Sequence, residues 1–449
     1  MPLPFKLKEI LKLTPELESW LKEHRDRHPA DIAEALEELN AIDMARVFIR
    51  LDGETAALVL RNLKTKSVNS LLDALGPERI AAILDEMSLD DAADFLGEVS
   101  ENVKDELLDL MEADEAEDLK ELLTYPEDTA GGIMTTEYVA ILETITAGKA
   151  IEVLRENAPD AETVYYVYVI NVKNQLVGVI SLRELIVANP QEPIRTIMQD
   201  KVISVPVNMD QEEVARVVSK YGLLAIPVVD EEGSLVGIVT VDDVIDVIHE
   251  EATEDIFLLA GTSEVESGLP LLGRLSVSVR SRLPWLLVTL LGGMVAGSVL
   301  RGLEDELNQM VALAFFVPLL TGMGGNVGTQ SSTLTVRGLA MGLIEGKEAW
   351  LTVAKECLSG LIIGAVCGMI VGSVAFIMYG NWILGLVVGL ALIGNMVTAT
   401  TMGTLVPLVF RRVGIDPAVA SAPFISTSID ITGLLIYSSL ASALIAYLV

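Results

Sequence analysis

Histidine and cysteine are scarce in this chain, which has three histidines and two cysteines among 449 residues. The histidines are scattered, at positions 24, 28 and 249, and Cys357 and Cys367 both fall in an apolar segment. Zinc sites and disulfide frameworks need these residue types at close and repeated spacings. The sequence therefore predicts neither a zinc site nor a disulfide framework.

Basic residues are also few, with 31 Lys and Arg against 64 Asp and Glu, which gives a net charge of −33. Residues 271–449 are nearly balanced, with nine Lys and Arg against eight Asp and Glu, whereas the first 270 residues hold 22 against 56. Nucleic-acid binding needs clustered Lys and Arg, so no nucleic acid is expected as a partner. The acidic half favours cations instead, although most of these carboxylates serve only solubility.

The start of the chain has no apolar core of the length that a signal peptide needs, between Met1 and Lys12. We therefore expect the large acidic region to stay in the cytoplasm. Five apolar stretches follow the linker 261–270, and all are long enough to cross a bilayer, which takes roughly 20 residues. They are 284–302, 309–336, 354–379, 382–410 and 418–448.

The orientation of these spans follows from the positive charges. Arg and Lys precede the first span and occupy alternate loops, at positions 274, 280, 282, 337, 347, 355, 411 and 412. Positive residues mark the cytoplasmic side of a membrane. The protein is therefore predicted to be a multi-pass protein of the cell (plasma) membrane, with its N-terminus inside and its C-terminus outside.

One acid, Asp430, falls near the middle of the fifth span. A charged side chain at the bilayer centre costs about 3 kcal/mol on insertion scales, so such residues face a partner or a water-filled path. Helical spacing places Ala422, Ser426, Asp430 and Gly433 on one face. That face is predicted to line a hydrophilic passage, against the alternative that Asp430 only bonds a neighbouring helix.

Glycine is frequent in the second and third spans, with different consequences. The second span contains Gly322, Gly324, Gly325 and Gly328 around Asn326, too many glycines for a regular helix. We expect broken backbone there, which protein or water must cover, so Gly325 and Asn326 are candidate pore-lining residues. The third span has glycine at every fourth position from 360 to 372, which indicates helix packing. Asn395 and Thr398 in the fourth span are ordinary interhelical polar groups.

The acidic region itself has two textures. Apolar residues recur at threes and fours from Thr14 to about Tyr125, with breaks about 24 residues apart, as in stacked helical pairs. This predicts a small α-solenoid, numbered 1–128. Asp90 and Asp91 lie at a predicted helix start, where capping and cation binding are about equally expected.

Residues 129–248 form two copies of an α/β pattern, in which 176–181 aligns with 235–240. The tandem resembles a pair of CBS domains, a regulatory module that senses ligands. The resemblance implies nucleotide binding, with ATP as a candidate, through Gly237, Thr240 and Asp243 of the second copy. The first copy has Glu184 in place of the aspartate, and Thr240 is equally expected as a helix cap.

An acidic helix connects the second copy to the membrane region, and we place it with its linker at 242–270. Its stripe comprises Asp243, Asp246, Glu250 and Glu254, with Glu251 and Asp255 beside it. Like charges at this spacing repel by some tenths of a kcal/mol per pair, and a hard divalent cation would neutralise them. We predict cation sensing here rather than a merely solvated face, and packing through Val244, Val247, Ile248, Ala252 and Ile256.

Together these features resemble the MgtE magnesium channel family along essentially the whole chain. The most specific segments are Gly324-Gly325-Asn326 and Asp430-Ile431-Thr432-Gly433. The fold class is then a multi-domain membrane protein: an α-solenoid, an α/β CBS pair and an all-α domain of five transmembrane helices at 271–449.

The resemblance implies a homodimer with a pore on its twofold axis, where Asp430 and the main-chain carbonyl of Ser426 meet hydrated Mg²⁺. It also implies that the connecting helix closes the pore when cytoplasmic Mg²⁺ bridges its acids to the other cytoplasmic domains. Ala422 stands where some members have Asn, which removes one side-chain contact at the inner mouth. Mg²⁺ is thus expected as both the transported and the regulatory ion, although Mn²⁺, Co²⁺ and Ni²⁺ are not excluded by the residues.

Two other classes of function were weighed against this one. A proton- or sodium-coupled transporter would use Asp430 as a relay, and its flux would depend on the coupling gradient. An intramembrane hydrolase would need a second acid or a histidine at the depth of Asp430, and the sequence provides none. The protein is therefore not expected to be an enzyme.

Overall fold

The computed structural model describes residues 14–157, 161–262, 275–302, 304–344, 346–420 and 422–448. It divides into two compact units, Met1–His249 and Glu250–Val449. Met1 to Lys12, most of the predicted linker 261–270, and Arg274 lie outside the described residues.

Short helices build the described part of the N-terminal region, as predicted. They are α1 Pro15–His24, α2 Pro29–Glu37, α3 Ala41–Phe48, α4 Gly53–Arg61, α5 Thr65–Leu75, α6 Pro77–Leu84, α7 Leu89–Glu98, α8 Glu101–Leu108 and α9 Ala113–Leu122. From α2 onward the N-cap residue recurs every 12 residues, at 28, 40, 52, 64, 76, 88, 100 and 112. Two helices therefore make a 24-residue pair, which confirms the spacing expected from the sequence.

The repeat places equivalent apolar residues in one core. Leu36, Leu60, Leu84 and Leu108 stand 24 residues apart, and each is at most 7% exposed. Burying a leucine contributes about 2 kcal/mol, and the regular spacing stacks these contributions along the domain. The same core continues into the second CBS copy through Val214, Ile226 and Val239.

The two CBS copies have the same topology. The first contains β1 Ala140–Leu142, α10 Ala147–Asn157, β2 Tyr166–Ile170, β3 Leu176–Ser181, α11 Leu182–Val187 and α12 Ile194–Ile197; the second contains β4 Val205–Pro206, α13 Gln211–Tyr221, β5 Ala225–Val229 and β6 Leu235–Thr240. In each sheet the short first strand runs parallel to the middle strand, and the third runs antiparallel to it.

The copies exchange methionines across their interface. A Cβ added at Gly237 would lie 2.5 Å from Met134 Sδ, and one added at Gly178 would lie 2.5 Å from Met198 Sδ. Residues 135 and 238, and likewise 179 and 199, are joined by isolated antiparallel bridges. Each copy's opening segment therefore covers a glycine in the other copy's last strand.

The connecting helix, α14, runs from Val241 to Ala260. Val244 and Val247 are buried, as predicted for its apolar face. Ile248 and Ile256 are 45% and 67% exposed, however, so the predicted packing face is wrong at these two positions. The contacts that bury the face are confined to its first turns.

The second unit contains five helices long and apolar enough to cross a membrane in the part of the chain that is described. They are α15 Leu275–Arg301, α17 Val317–Ala340, α18 Lys347–Tyr379, α19 Trp382–Arg412 and α20 Ala422–Leu448. A short helix, α16 Glu304–Gln309, and a 3₁₀ turn, Val311–Phe316, link the first two spans. The five predicted spans are confirmed.

The glycine-rich stretch of the second span is helical, so the predicted broken backbone is wrong. The glycines of α17 instead lie where other helices approach closely. A Cβ at Gly328 would collide with Ile429 Cδ1 of α20, and one at Gly324 would lie 2.5 Å from Asn395 Nδ2 of α19. Packing against these neighbours offsets the helix propensity that each glycine loses, about 1 kcal/mol.

The glycine ladder of the third span packs α18 against α19, as predicted. A Cβ at Gly368 would lie 2.6 Å from the Gly389 carbonyl oxygen, and one at Gly372 would lie 2.6 Å from that of Gly385. Glycines thus face glycines, and the two backbones approach to a distance that no side chain would permit.

Candidate ion pathway and regulatory acid cluster

Asp430 lies eight residues inside α20 and is half-buried. The hydroxyl groups around it are occupied within the helix, because Ser426 donates to the Pro423 carbonyl and Thr432 to that of Ser428. Among the described residues, the Asp430 carboxylate has no hydrogen bond or ion pair. It is therefore an acceptor with an open coordination side, in a helix that is otherwise apolar or internally satisfied.

The second span approaches this face of α20 through Gly325. A Cβ at that glycine would lie 3.2 Å from Ser426 Cβ, so the two predicted site residues are in contact. Asn326, the next residue, is exposed on the single chain. A polar side chain on the surface of a membrane helix is costly in hydrocarbon and is expected to face water or a partner.

Gly433 does not open onto a passage in this structure. It is buried, and a Cβ there would lie 2.5 Å from the side-chain oxygen of Asn395. Ala422, at the start of the same helix, is half-buried. Of the predicted pore-lining set, only Asn326 is therefore openly exposed, and Gly433 serves helix packing.

Asn395 is more specific than the interhelical polar group that the sequence analysis assumed. It is fully buried, its Nδ2 donates to the Leu320 carbonyl at 2.7 Å, and its Oδ1 has no partner. The amide lies between Gly324 of α17 and Gly433 of α20. Thr398, grouped with it in the sequence, bonds only its own helix through the Gly394 carbonyl.

A second acid lies inside the membrane unit. Ser331 of α17 donates to Glu356 of α18 at 2.7 Å. The next residue, Ser332, donates to the Ala420 carbonyl just before α20 begins. Glu356 thus lies near the start of α20 rather than at the depth of Asp430, and the sequence analysis did not select it.

The end of the connecting helix lies against the start of the fifth span. Gly261, which follows α14 with φ of +72°, would place a Cβ 2.4 Å from Pro423 Cγ. Only glycine combines that backbone conformation with so close an approach. A movement of this end of α14 would therefore be felt directly at the base of the helix that carries Asp430.

In the first unit, the predicted regulatory acids gather around a residue that the sequence analysis missed, Arg61 at the end of α4. Its guanidinium pairs with Asp91 of α7 at 3.0 Å, and with Asp242 and Asp243 of α14 at 3.6 and 3.8 Å. One basic group therefore connects the helical domain with the first turn of the connecting helix.

The carboxylates of this cluster are crowded. Asp90 is 7% exposed, and burial together with the neighbouring Asp90 raises the pKa of Asp91 to about 6. The same two causes raise the pKa of Asp243 well above its ordinary range, against the lowering effect of the Thr240 hydroxyl. The cluster therefore holds more negative charge than Arg61 neutralises.

Two glutamates from the first CBS copy complete the cluster, and neither stood out in the sequence. Glu137 accepts a hydrogen bond from the backbone N–H of Leu89 at 3.0 Å. Burial and nearby acids raise the pKa of Glu162 to about 7, although its side chain is more exposed than that of Asp91. Both line a cavity of about 340 Å³ together with Glu54, Arg61, Glu86 and Asp91.

The acids of the cluster do not form a ready-made metal centre. Within the described residues, no three acids, histidines or cysteines converge closely enough to hold a metal ion. Asp246 is exposed on α14, and Glu250, Glu251, Glu254 and Asp255 of that helix each take part in some polar or electrostatic interaction. A bound divalent cation would therefore reach these carboxylates through retained water, which Mg²⁺ commonly keeps.

The predicted nucleotide motif has a structural explanation at each position. Gly237 makes room for Met134, and the Thr240 hydroxyl donates to the carboxylates of Asp242 and Asp243. The first copy instead forms a capping box between Ser181 and Glu184. Thr240 and Asp243 are thus committed to the acid cluster.

Three family profiles match the chain in succession. The MgtE intracellular N domain matches residues 27–128, the CBS domain matches 130–190 and 194–250, and the family described as a divalent cation transporter, MgtE, matches 317–440. The matches follow the order of the helical region, the paired α/β copies and the membrane spans.

Curated relatives extend over nearly the whole chain. The magnesium transporter MgtE of Thermus thermophilus is 41% identical over 450 residues, covering 97% of this chain and 99% of that protein. The magnesium transporter MgtE of Bacillus subtilis is 38% identical over 433 residues, covering 94% and 95%. A crystal structure of the cytosolic domain of the Mg²⁺ channel MgtE in complex with ATP is 43% identical, covers 51% of this chain and 98% of that one, and has a TM-score of 0.49.

Proposed function

The chain belongs to the MgtE family of divalent cation transporters, and from that premise we propose that it admits Mg²⁺ along the face of α20 that carries Asp430. Members of this family are multi-pass membrane transporters and not enzymes, and their N-terminal and CBS domains are cytosolic. The observation that carries the proposal is an intramembrane carboxylate with no partner among the described residues, beside the glycine-rich second span.

Physical chemistry favours Mg²⁺ at such a site. Mg²⁺ prefers oxygen ligands and dehydrates reluctantly, so it is commonly bound through few carboxylates and several waters. A lone Asp430 with the neighbouring Ser426 carbonyl supplies few direct ligands, and the small residues of α17 leave space for waters. The same reasoning places the C-terminus outside, because Arg411 and Arg412 mark the cytoplasmic end of the preceding span.

A homodimer is part of the proposal, because a single chain leaves polar groups uncovered. Asn326 is exposed, Asp430 is half-exposed, and the most apolar window of the first span has no buried residue. Two copies that meet along α17 and α20 would enclose a water-filled path between two Asp430 side chains. The two chains would each contribute one carboxylate to the same ion.

Cytoplasmic Mg²⁺ is proposed to close this path through α14. The acid cluster binds the first turn of α14 to the helical domain, and Gly261 at its other end contacts Pro423. Added Mg²⁺ would neutralise the excess carboxylates and hold α14 in place, whereas its loss would let like charges repel. ATP binding at Gly237, Thr240 and Asp243 stays a prediction, since a nucleotide would have to displace the bonds from Thr240 to Asp242 and Asp243.

The test is electrical recording from purified protein in bilayers, with Mg²⁺ as the only external divalent cation and the cytoplasmic-side Mg²⁺ varied. Asp430→Asn should abolish the current, whereas Asp305→Asn, an exposed acid in α16, should leave it unchanged. Current that closes as cytoplasmic Mg²⁺ rises supports a self-limiting channel. Absence of current, with uptake that instead follows a proton or sodium gradient, would contradict the channel and favour a coupled transporter.

A further inference from the structure

The 24-residue repeat of the helical domain makes its irregularities visible. Glu37, Arg61 and Asp85 occupy the same position in three successive helical pairs, at the ends of α2, α4 and α6. Two of the three are acids, and the middle one is basic. The repeat therefore changes its charge at a single place along this position, and that place faces the CBS pair.

The two acids have the same structural task. Glu37 accepts a hydrogen bond from the backbone N–H of Lys64 at 2.9 Å, and Asp85 accepts one from Glu112 at 3.0 Å. Each acceptor lies 27 residues before its donor, and each donor is the N-cap residue of a later helix. A carboxylate at a helix N-terminus satisfies a free N–H group and complements the helix dipole. Each acid thus joins one helical pair to the next.

Arg61 cannot perform this task, because a guanidinium has no acceptor. The helix that its pair should cap is α7, whose N-cap residue Ser88 makes no side-chain capping bond. The missing carboxylate is supplied by Glu137 of the first CBS copy, which accepts from Leu89. Arg61 turns instead to Asp91, Asp242 and Asp243.

We propose that this break in the repeat is a metal-independent latch between the helical domain and the CBS pair. Each side contributes what the other lacks: the CBS pair gives a capping carboxylate to α7, and the helical domain gives a cation to the start of α14. Both contacts are charge-assisted, which makes them about twice as strong as neutral hydrogen bonds. Arg61 stays charged at every physiological pH, so the latch holds before any divalent cation binds.

The latch leaves the cluster unsaturated. One guanidinium faces four carboxylates, those of Asp90, Asp91, Asp242 and Asp243. Bound Mg²⁺ would add to an arrangement that already exists rather than assemble it from separated domains. The consequence for ion flow rests on the gating role proposed above, but the latch itself does not.

The decisive variant is Arg61→Glu, because it restores the acid that the repeat has at this position. The new carboxylate should cap α7 from within the helical domain, as Glu37 and Asp85 do for their helices. It should also repel Asp242 and Asp243. A second variant, Glu137→Ala, removes the cap that the CBS pair supplies and keeps Arg61.

Hydrogen exchange followed by mass spectrometry, on the detergent-solubilised full chain in EDTA, separates the two contacts. We expect Arg61→Glu to exchange about tenfold faster over 241–249 and at the wild-type rate over 88–98, and Glu137→Ala to exchange about tenfold faster over both segments. Arg79→Glu, the same charge reversal in α6, should leave both segments unchanged. Wild type should be protected over both in EDTA.

Faster exchange of Arg61→Glu throughout 28–124 would overturn the proposal, because the repeat position would then not accept an acid. Unchanged exchange over 241–249 in that variant would overturn it as well. Titrating MgCl₂ into the same samples tests the gating proposal by itself. Failure of MgCl₂ to slow exchange in wild type would contradict the regulatory cation and leave the latch standing.

Discussion

Asn395 and Gly433 fit each other at the scale of single residues, because the amide of the first occupies the space that the second leaves. Gly433→Ala would place a Cβ 2.5 Å from Asn395 Oδ1, and relieving such overpacking typically costs about 1–3 kcal/mol. We expect Mg²⁺ uptake into proteoliposomes to fall about tenfold, since the helix that moves carries Asp430.

Shortening the partner should relieve the collision. The double variant Gly433→Ala with Asn395→Ser is expected to recover uptake to within about threefold of wild type. Thr398→Val should change nothing, because that hydroxyl bonds only its own helix. A double variant no better than Gly433→Ala alone would show that Asn395 does not position α20.

The buried carboxylates around Arg61 predict a dependence on pH. Burial and Asp90 raise the pKa of Asp91 from an ordinary 3.8 to about 6, so the folded cluster binds protons that the unfolded chain releases. Stability from this group is present below pH 4 and is lost as the pH rises through 6. Without divalent cations, the thermal midpoint should fall by several degrees between pH 5 and 8.

Asp91→Asn should flatten that profile, because the substituted side chain no longer titrates. Saturating MgCl₂ should also raise the midpoint at pH 8 more than at pH 5, since protons compete with the metal for carboxylates. A midpoint that rises with pH in wild type would contradict the assignment of raised pKa values to this cluster.

At the scale of helices, glycine decides how closely the spans approach. A Cβ at Gly368 of α18 would lie 2.6 Å from a backbone oxygen of α19, whereas one at Gly293 of α15 would meet nothing within 4 Å. Gly368→Ala should therefore lower the thermal midpoint of the membrane unit, and Gly293→Ala should keep or slightly raise it. Equal effects of the two substitutions would show that the ladder is not a packing surface.

The same contacts explain which elements could be predicted from sequence. Span length, the 24-residue helical spacing and the paired CBS copies are written in local periodicity, which needs no partner to be recognised. The second span was mispredicted because glycine content alone cannot distinguish a broken helix from a tightly packed one. That distinction depends on Asn395 and Ile429, which lie about 70 to 100 residues further along the chain.

The candidate sites divide in the same way. Asp430 was found because a charge inside an apolar run is conspicuous by itself. Arg61, Glu137 and Glu162 were missed because each lies in a region rich in charge, and only folding brings them to Asp91. The apolar face of α14 was predicted too long for a related reason, since Ile256 has the right spacing but no neighbour to bury it.

At the scale of the whole molecule, the proposed homodimer can be tested at Asn326. In a chain with both native cysteines replaced by serine, Asn326→Cys should cross-link two copies under mild oxidation, because the side chain would face its counterpart across the twofold axis. Ile377→Cys, 78% exposed on the third span, serves as the control and should remain monomeric on a denaturing gel. Cross-linking through Ile377 alone would place the interface on another face.

The exchanged methionines of the CBS pair have a consequence for how the chain folds. Met134 covers Gly237 and Met198 covers Gly178, so each copy finishes the surface of the other. A copy expressed alone would leave a bare glycine strand and a stranded thioether, and it should unfold at far lower denaturant than the pair. The duplication is thus the smallest cooperative folding unit, and a disturbance that melts one half necessarily reaches the other.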